Sequence, residues 1–338
     1  MNNLTKVLSL GESLLRLSTT SSERLRFLNR LDVTFGGAEA NVAVNLSQLD
    51  HDVRYATVIP NNELAENIYL QMRSFGVDTS QIKQTETGRL GSYFVEVGSD
   101  LRASSVLYDR AFSAIAILDE PIWDMEALFK GVTHFHTTGI TLGLSKFWHE
   151  YLVKLIQYAH KKGIIVSFDM NYRQKLWTQA EAKAVFQKVL PYVDILSANR
   201  LDANYFMDID IETHSHPEAF LAQIAQKYPN VKVIYGTNRI SITPNQYDLT
   251  GFYYDAKQLE LTHSKQYKIQ FANDRIGAGD AYAAAILDGI IKGRPAQVLV
   301  DFAVGASVLK HTVFGDVNRF SEQQIEQFIR SSGGNIVR

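Results

Sequence analysis

Cysteine is absent from the 338-residue chain, which excludes disulfides, thiolate catalysis and cysteine-ligated metals while leaving the compartment open. No apolar run approaches the ~18 residues that a membrane span requires. The first residues, Met1-Asn2-Asn3-Leu4-Thr5-Lys6, lack the basic and apolar regions of a signal peptide. A cytoplasmic protein that meets no membrane is therefore expected. Neither sign of charge is in excess, and a formal net charge of -2 argues against a nucleic-acid surface. The nine histidines include no metal-ligand pair at helical spacing; His134 and His136 alternate along a strand and are expected at the core edge or sheet face. No G-x-x-x-x-G-K-[ST] phosphate loop occurs. A dinucleotide fingerprint starting at Gly277-Ala278-Gly279 fails, because its third small position falls on Tyr282 and no acid follows at the required distance.

What the chain does contain is an acid directly behind two glycines, in Asn273-Asp274-Arg275-Ile276-Gly277-Ala278-Gly279-Asp280-Ala281. Glycine permits backbone conformations that a side chain forbids and lets an anion approach the main chain. The small and apolar residues that follow, Ala281 to Leu287, read as a helix whose first N–H groups and positive dipole end would face that anion. A carboxylate repels phosphate, so Asp280 suits a site where it takes the proton of a hydroxyl that attacks phosphorus. The plainer alternative is an acidic first turn. A second pair of glycines opens Gly36-Gly37-Ala38-Glu39-Ala40-Asn41, where Ala38, Val42, Leu46 and Leu49 line one helical face. Asn41 and Asn45 are amides within that apolar helix and need partners.

Short apolar strands alternate with amphipathic helices along the chain, the pattern of a mostly parallel, helix-covered sheet. Strands are predicted at 7–10, 53–59, 132–136, 163–168, 193–196 and 231–235, and helices at 144–162, 180–190, 217–228, 277–292, 296–310 and 322–330. Two stretches, about 14–35 and 90–110, mix polar and apolar residues in strand-like fashion without helices. No linker, repeat or low-complexity tract divides the chain, so 1–338 is expected to be one domain carrying those two insertions.

The two glycine motifs, in this order, resemble the paired signatures of the ribokinase-like (PfkB) sugar kinases. The likeness extends to Phe135-His136-Thr137-Thr138-Gly139-Ile140, to Asp169-Met170-Asn171-Tyr172-Arg173-Gln174-Lys175-Leu176-Trp177, and to Val304-Gly305-Ala306-Ser307 followed by Gly315-Asp316. Within that family, the motifs look most like those of 2-keto-3-deoxygluconate kinases. The resemblance implies a three-layer α/β/α core, a small β-sheet lid over the sugar site that is often also a dimer contact, and hence a homo-oligomer. It implies ATP as phosphate donor with Mg2+, and a sugar acid phosphorylated at its terminal hydroxyl. A monovalent cation such as K+ is a further candidate, framed by Asp274 and the helix after Ala296.

Carried over residue by residue, the resemblance makes Asp280 the base and Gly277, Ala278 and Gly279 the anion hole. Gly37, Asn41, Tyr93, Tyr108, Arg110, Ile140, Arg173 and Asp316 become substrate contacts. A guanidinium can grip a carboxylate through two parallel hydrogen bonds, which suits Arg110 and Arg173 to an acidic substrate; ion pairs with Asp109 and Asp169 are the ordinary alternative. On the nucleotide side stand Asn199, Gly236, Thr237, Arg239, Gly277 and Gly279. Asp202 follows Asn199 where the family's N-x-x-E motif has a glutamate that orders magnesium through water; a helix cap is the competing reading. Arg239 either contacts phosphate or sits at a hairpin turn. Kinases of fructose, ribose or a nucleoside are the nearest alternatives. A non-catalytic sugar-binding regulator is the alternative of another class, disfavoured because a binder has no need of Asp280.

Overall fold

A computed structural model describes residues 5–20, 23–99, 101–210 and 218–331. Its strands, in chain order, are Lys6–Leu10 (β1), Leu14–Ser18 (β2), Asp32–Gly36 (β3), Asp52–Pro60 (β4), Asp78–Thr85 (β5), Ser92–Glu96 (β6), Ser105–Asp109 (β7), His134–Thr138 (β8), Ile165–Asp169 (β9), Ile195–Ser197 (β10), Val233–Thr243 (β11), Gln246–Asp255 (β12), Glu260–His263 (β13) and Tyr267–Ile269 (β14). The large sheet has the order β13-β12-β11-β10-β9-β8-β1-β4-β5, with β14 paired to β12. From β11 to β5 every neighbouring pair is parallel. The edge beyond β11 is antiparallel.

Alternation along the parallel strands sends side chains to two faces. Leu8, Val58, Phe135, Phe168 and Leu196 join one buried cluster with Trp148, Leu152, Phe186 and Phe206 from the helices Lys146–Lys161, Gln179–Val189 and Arg200–Met207. Val7, Val53, Tyr55, Ile195 and Tyr235 join another with residues of the helices Ala38–Ser47, Glu63–Ser74, Ala278–Ile291 and Ala296–Lys310. The result is the expected three-layer α/β/α arrangement. A separate sheet of order β3-β2-β6-β7 occupies the two insertions, with Leu14, Tyr93, Val95 and Val97 as its own small core, against which Val106 and Ile276 pack.

Chain order reverses beside β1: β4 and β5 extend one way from it, β8 to β11 the other. Ligands of open parallel sheets bind outside the C-terminal strand ends at such a switch point. Here those ends lead into Glu12, Ile140, Asn171 and Asn199.

Several expected elements are shifted by one or two residues, among them β8 and β10. The expected start of a helix at Pro217 lies outside the described residues. The helix Glu63–Ser74 and strand β5 were not anticipated, nor was the length of β11. Arg239 is opposite Leu249 in the middle of the β11–β12 pair, so it does not occupy a hairpin turn; the turn lies between Thr243 and Gln246. Among the described residues no helix is long and apolar enough to cross a membrane.

Candidate active site

The helix Ala278–Ile291 starts at Gly277, whose φ is +85°. A Cβ at Gly277 would overlap the Asp316 carbonyl, whereas one at Gly279 would meet open space. Glycine is thus needed at the first position for conformation and packing, and at the second it leaves the cleft clear for a ligand. Ala278 N–H donates to the Arg275 carbonyl at 3.2 Å, so it is already engaged. The N–H groups of Gly279 and Asp280 fall at first-turn positions without an intrahelical acceptor. Asp280 receives a hydrogen bond from Asn41 Nδ2 at 2.6 Å, which joins the two glycine motifs in space. Burial beneath the cleft pushes the Asp280 carboxyl up to about 7; the Asn41 bond opposes this, while Asp169, Asp316 and Glu39 add to it. A carboxyl poised there can exchange a proton near neutrality.

The same cleft, about 850 Å³, is lined by Gly37, Asn41, Tyr93, Tyr108, Arg110, Ile140, Arg173, Asn199, Thr237, Arg239, Gly277, Ala278, Gly279, Asp280 and Asp316. Nearly all the sequence-selected residues therefore meet. Gly236 and Asp202 line an adjoining hollow with Asp169, Asn171 and Arg173. A third, mainly apolar hollow of about 960 Å³ opens beside the lid at Phe112, Leu144 and Leu176 and shares Tyr108, Arg110 and Arg173 with the cleft. It contains neither Asp280 nor the helix start.

Several chosen side chains already have protein partners. Arg110 donates through Nε to Glu12 at 2.8 Å and also through Nη2; Asp109 pairs instead with Arg89. Glu12 is buried and also accepts from Ser113. The Tyr93 hydroxyl donates to Asp316. Arg16, 2% exposed, spans Asp316 at 2.6 Å and Asp274 at 2.5 Å. These bonds tie the lid to the loop beside Gly277. Burial and Asp316 both raise the Tyr93 hydroxyl well above its usual range, keeping it a donor. Tyr93 and Tyr108 are cross-strand neighbours with ring centroids 5.8 Å apart, and the Arg110 guanidinium lies 5.7 Å from the Tyr108 ring centre. Arg173 is exposed and donates to the Tyr172 carbonyl at 3.1 Å.

Asn199 and Asp202 cap the helix Arg200–Met207 reciprocally. Asn199 Oδ1 accepts from the Leu201 and Asp202 N–H groups, and Asp202 accepts from Asn199 N–H at 2.9 Å. Despite that bond, burial and the neighbouring Asp169 raise the Asp202 carboxyl. Among the described residues no cluster of three His, Cys, Asp or Glu side chains could hold a metal. A magnesium ion keeps most of its water and needs only one or two protein carboxylates when it travels with phosphates, and Asp202 and Asp169 fit that lesser demand. His134 and His136 are buried strand residues; burial lowers them to about 4 and about 3.

Sequence reading missed Glu12, Arg16 and Glu39. Glu39 Oε1 accepts from Thr138 N and Oγ1 and from Thr141 Oγ1, at the switch point itself. The signal available was a charge inside an apolar alternation, Leu14-Leu15-Arg16-Leu17. Also missed as site residues were Tyr247, Leu249, Arg275, Ser307 and His311, which line the same cleft.

A half-buried carboxyl at a helix N-terminus, joined to an amide from a second glycine turn, can take a proton beside a bound anion, as transfer of a phosphoryl group to an alcohol requires. Residues 4–323 match the pfkB family of carbohydrate kinases, and the chain belongs to it. A PfkB family carbohydrate kinase from Listeria grayi is 41% identical, with a TM-score of 0.93 over 97% of this chain and 100% of that one. The 2-dehydro-3-deoxygluconokinase of Thermotoga maritima is 37% identical, with a TM-score of 0.91 over the same shares. The 2-dehydro-3-deoxygalactonokinase of Haloferax volcanii is 27% identical across 98% of this chain and 99% of its own.

Proposed function

We propose that this kinase transfers the γ-phosphoryl group of ATP to the terminal hydroxyl of 2-keto-3-deoxygluconate, giving 2-keto-3-deoxy-6-phosphogluconate. The observation that carries the reaction is the Asn41–Asp280 contact at the glycine turn. The Asp280 carboxylate accepts the hydroxyl proton as the oxygen attacks phosphorus in line. The helix N-terminus at Gly277, Ala278 and Gly279 stabilises charge on the transferred group, with the Gly279 and Asp280 N–H groups as its donors. Gly37, Asn41 and Ile140 would meet the sugar, while Thr237, Arg239 and Asn199, with Gly236 in the adjoining hollow, would meet the nucleotide. Asp202, with Asp169 in the same hollow, would hold through water a Mg2+ ion travelling with the ATP phosphates, and the ion would supply charge neutralisation there.

Preference for an acid rests on Arg110 and Arg173 and on the relatives named above. Arg110 has five N–H donors, and the pair with Glu12 engages only part of its fork. The rest can hold a substrate carboxylate beside Arg173, with Tyr108, Tyr93 and Asp316 shaping the wall. The name of the Haloferax relative supports a second reading, the C4 epimer 2-keto-3-deoxygalactonate. A single cytoplasmic domain, paired through the lid, completes the proposal: Val33, Leu17, Phe94 and Leu107 form an apolar row across the four lid strands, with Val33 and Leu107 more than half exposed.

The test is ATP turnover against both keto-acid epimers, gluconate, fructose and ribose, with product analysis. Turnover of a neutral sugar above both acids would overturn the substrate, and no turnover of any alcohol would overturn the catalytic reading.

A further inference from the structure

Lys310 ends the helix Ala296–Lys310, yet it is wholly buried. Its ammonium donates to the backbone carbonyls of Asp274 and Val313, each at 3.2 Å. These carbonyls belong to the two loops that frame the start of the helix bearing Asp280. The loops are cross-tied: Asn273 N–H donates to the His311 carbonyl at 2.9 Å, Asn273 Nδ2 to the Thr312 carbonyl at 2.8 Å, and Gly315 N–H to Asp274 Oδ2 at 3.1 Å. The Asp316 carbonyl in turn packs against Gly277. A displacement of either loop would therefore reach the phosphate corner directly.

Two buried cations stand among the acids of this region. Arg16 and Lys310 face Asp274 and Asp316. Burial pulls the Lys310 ammonium below its usual range, while Asp274, Asp316 and Asp280 pull it back. An ammonium ion and K+ carry the same charge and are both satisfied by carbonyl oxygens. A free K+ on these carbonyls would collide with Lys310 and bring a third positive charge beside Arg16 and Lys310. The expected monovalent-cation site between Asp274 and this helix does not fit the residues present.

We infer that Lys310 is the resident cation of the phosphate corner, a positioning residue that holds both loops and makes the kinase independent of added monovalent cations. The inference rests on the proposed role of Gly277–Asp280 and concerns what keeps that corner in shape. Removing the ammonium leaves two carbonyls unpartnered and the group net negative beside the phosphate site, a buried imbalance that is costly.

The experiment measures turnover and melting temperature of the wild type, Lys310→Ala and Lys310→Met in choline, potassium and ethylammonium chloride at equal ionic strength. Wild-type turnover should agree within about twofold across the three salts. Lys310→Ala should lose roughly tenfold or more in choline and regain most of it in potassium or ethylammonium, because a free cation can enter the vacated space. Lys310→Met, whose side chain fills that space, should be rescued poorly. Strong activation of the wild type by potassium, or full activity of Lys310→Ala in choline, overturns the inference. If the wild type phosphorylates none of the acceptors, the functional reading fails separately. Melting then decides: cation-specific stabilisation of Lys310→Ala alone supports the role, and equal shifts in all three proteins overturn it.

Discussion

At the phosphate corner, positions are dictated by the backbone: Gly277 holds φ +85°, and its lack of a Cβ admits the Asp316 carbonyl. In the lid, positions are held by long-range side-chain pairs, Arg16 with Asp274 and Asp316, Arg110 with Glu12, and Tyr93 with Asp316. Under the proposed function, the corner would carry the chemistry and the lid pairs the choice of acceptor. Arg16 connects the two, since its partners belong to the loops beside Gly277.

The comparison breaks most sharply at Asp280. Asp280→Asn should keep ATP binding and the fold while losing ~10²-fold to 10⁴-fold in turnover. Near wild-type turnover would remove Asp280 from the mechanism. In the wild type, kcat/KM should rise with pH through about 7 as the carboxyl ionises, and the variant should lack that limb. The stability effect has the opposite sense. A carboxyl raised in the folded state binds its proton more tightly there than in the unfolded chain, so folding loses stability as pH rises from about 4 to about 7. Asp280→Asn should therefore be more stable than wild type at pH 8 by roughly 1–3 kcal/mol, allowing for partial solvent access, and gain less at pH 5. Chemical denaturation at the two pH values measures this; an equal gain at both would contradict the raised carboxyl.

The next largest effect is expected at the latch. Arg16→Leu strands two buried carboxylates and should cost on the order of 3–5 kcal/mol, read by urea denaturation. Turnover should fall too, since Asp274 and Asp316 flank the phosphate corner. A change below ~1 kcal/mol would mean that the lid is held by its apolar contacts instead.

That latch marks where sequence reading stopped. The parallel strands from β4 to β11, most of the covering helices and the lid strands were legible because hydrophobic period and glycine placement act locally, whereas β5, β12, β13, β14 and the helix Glu63–Ser74 were not. Gly277, Gly279, Asp280 and Asn41 were legible because backbone sterics and helix ends demand particular residues. Arg16 and Asp316 are 300 positions apart, and the charge among the apolar residues of β2 calls for a partner without saying which. Arg110 illustrates the same limit: Asp109 is adjacent in the chain, yet strand alternation sends its side chain to the other face, and Glu12 arrives from the end of β1. β11 was anticipated only as far as Tyr235, because its outer half is exposed on both faces and lacks the apolar run that marked the buried strands.

The two arginines sharpen the comparison at smaller magnitude. Loss of either partner of a desolvated carboxylate should cost about 1.5–3 kcal/mol, or roughly tenfold to 150-fold in efficiency, and only with the acid. Arg110→Ala should also lower stability, because Glu12 remains buried without its cation; Arg173→Ala, exposed, should not. Parallel kinetics with a keto acid and a neutral hexose, together with melting curves, separate these roles. Equal kinetic losses on both substrates would make the arginines supports of the lid.

The smallest effect is expected at Asp202, where the competing roles of cap and magnesium contact can be separated by lengthening the side chain. Glutamate serves the N3 position of a capping box well, so Asp202→Glu should change stability by less than ~0.5 kcal/mol. If the carboxylate meets Mg2+ through water, the longer arm should lower the Mg2+ concentration for half-maximal turnover by roughly twofold to fivefold, since reach decides how such a hydrated ion is held. Asp202→Ala should do the reverse and also lose the cap, at ~0.5–2 kcal/mol. An unchanged Mg2+ requirement in both variants, beside the expected loss of stability in the alanine variant, would leave Asp202 as a cap alone and assign the metal contact to Asp169, which faces the same hollow.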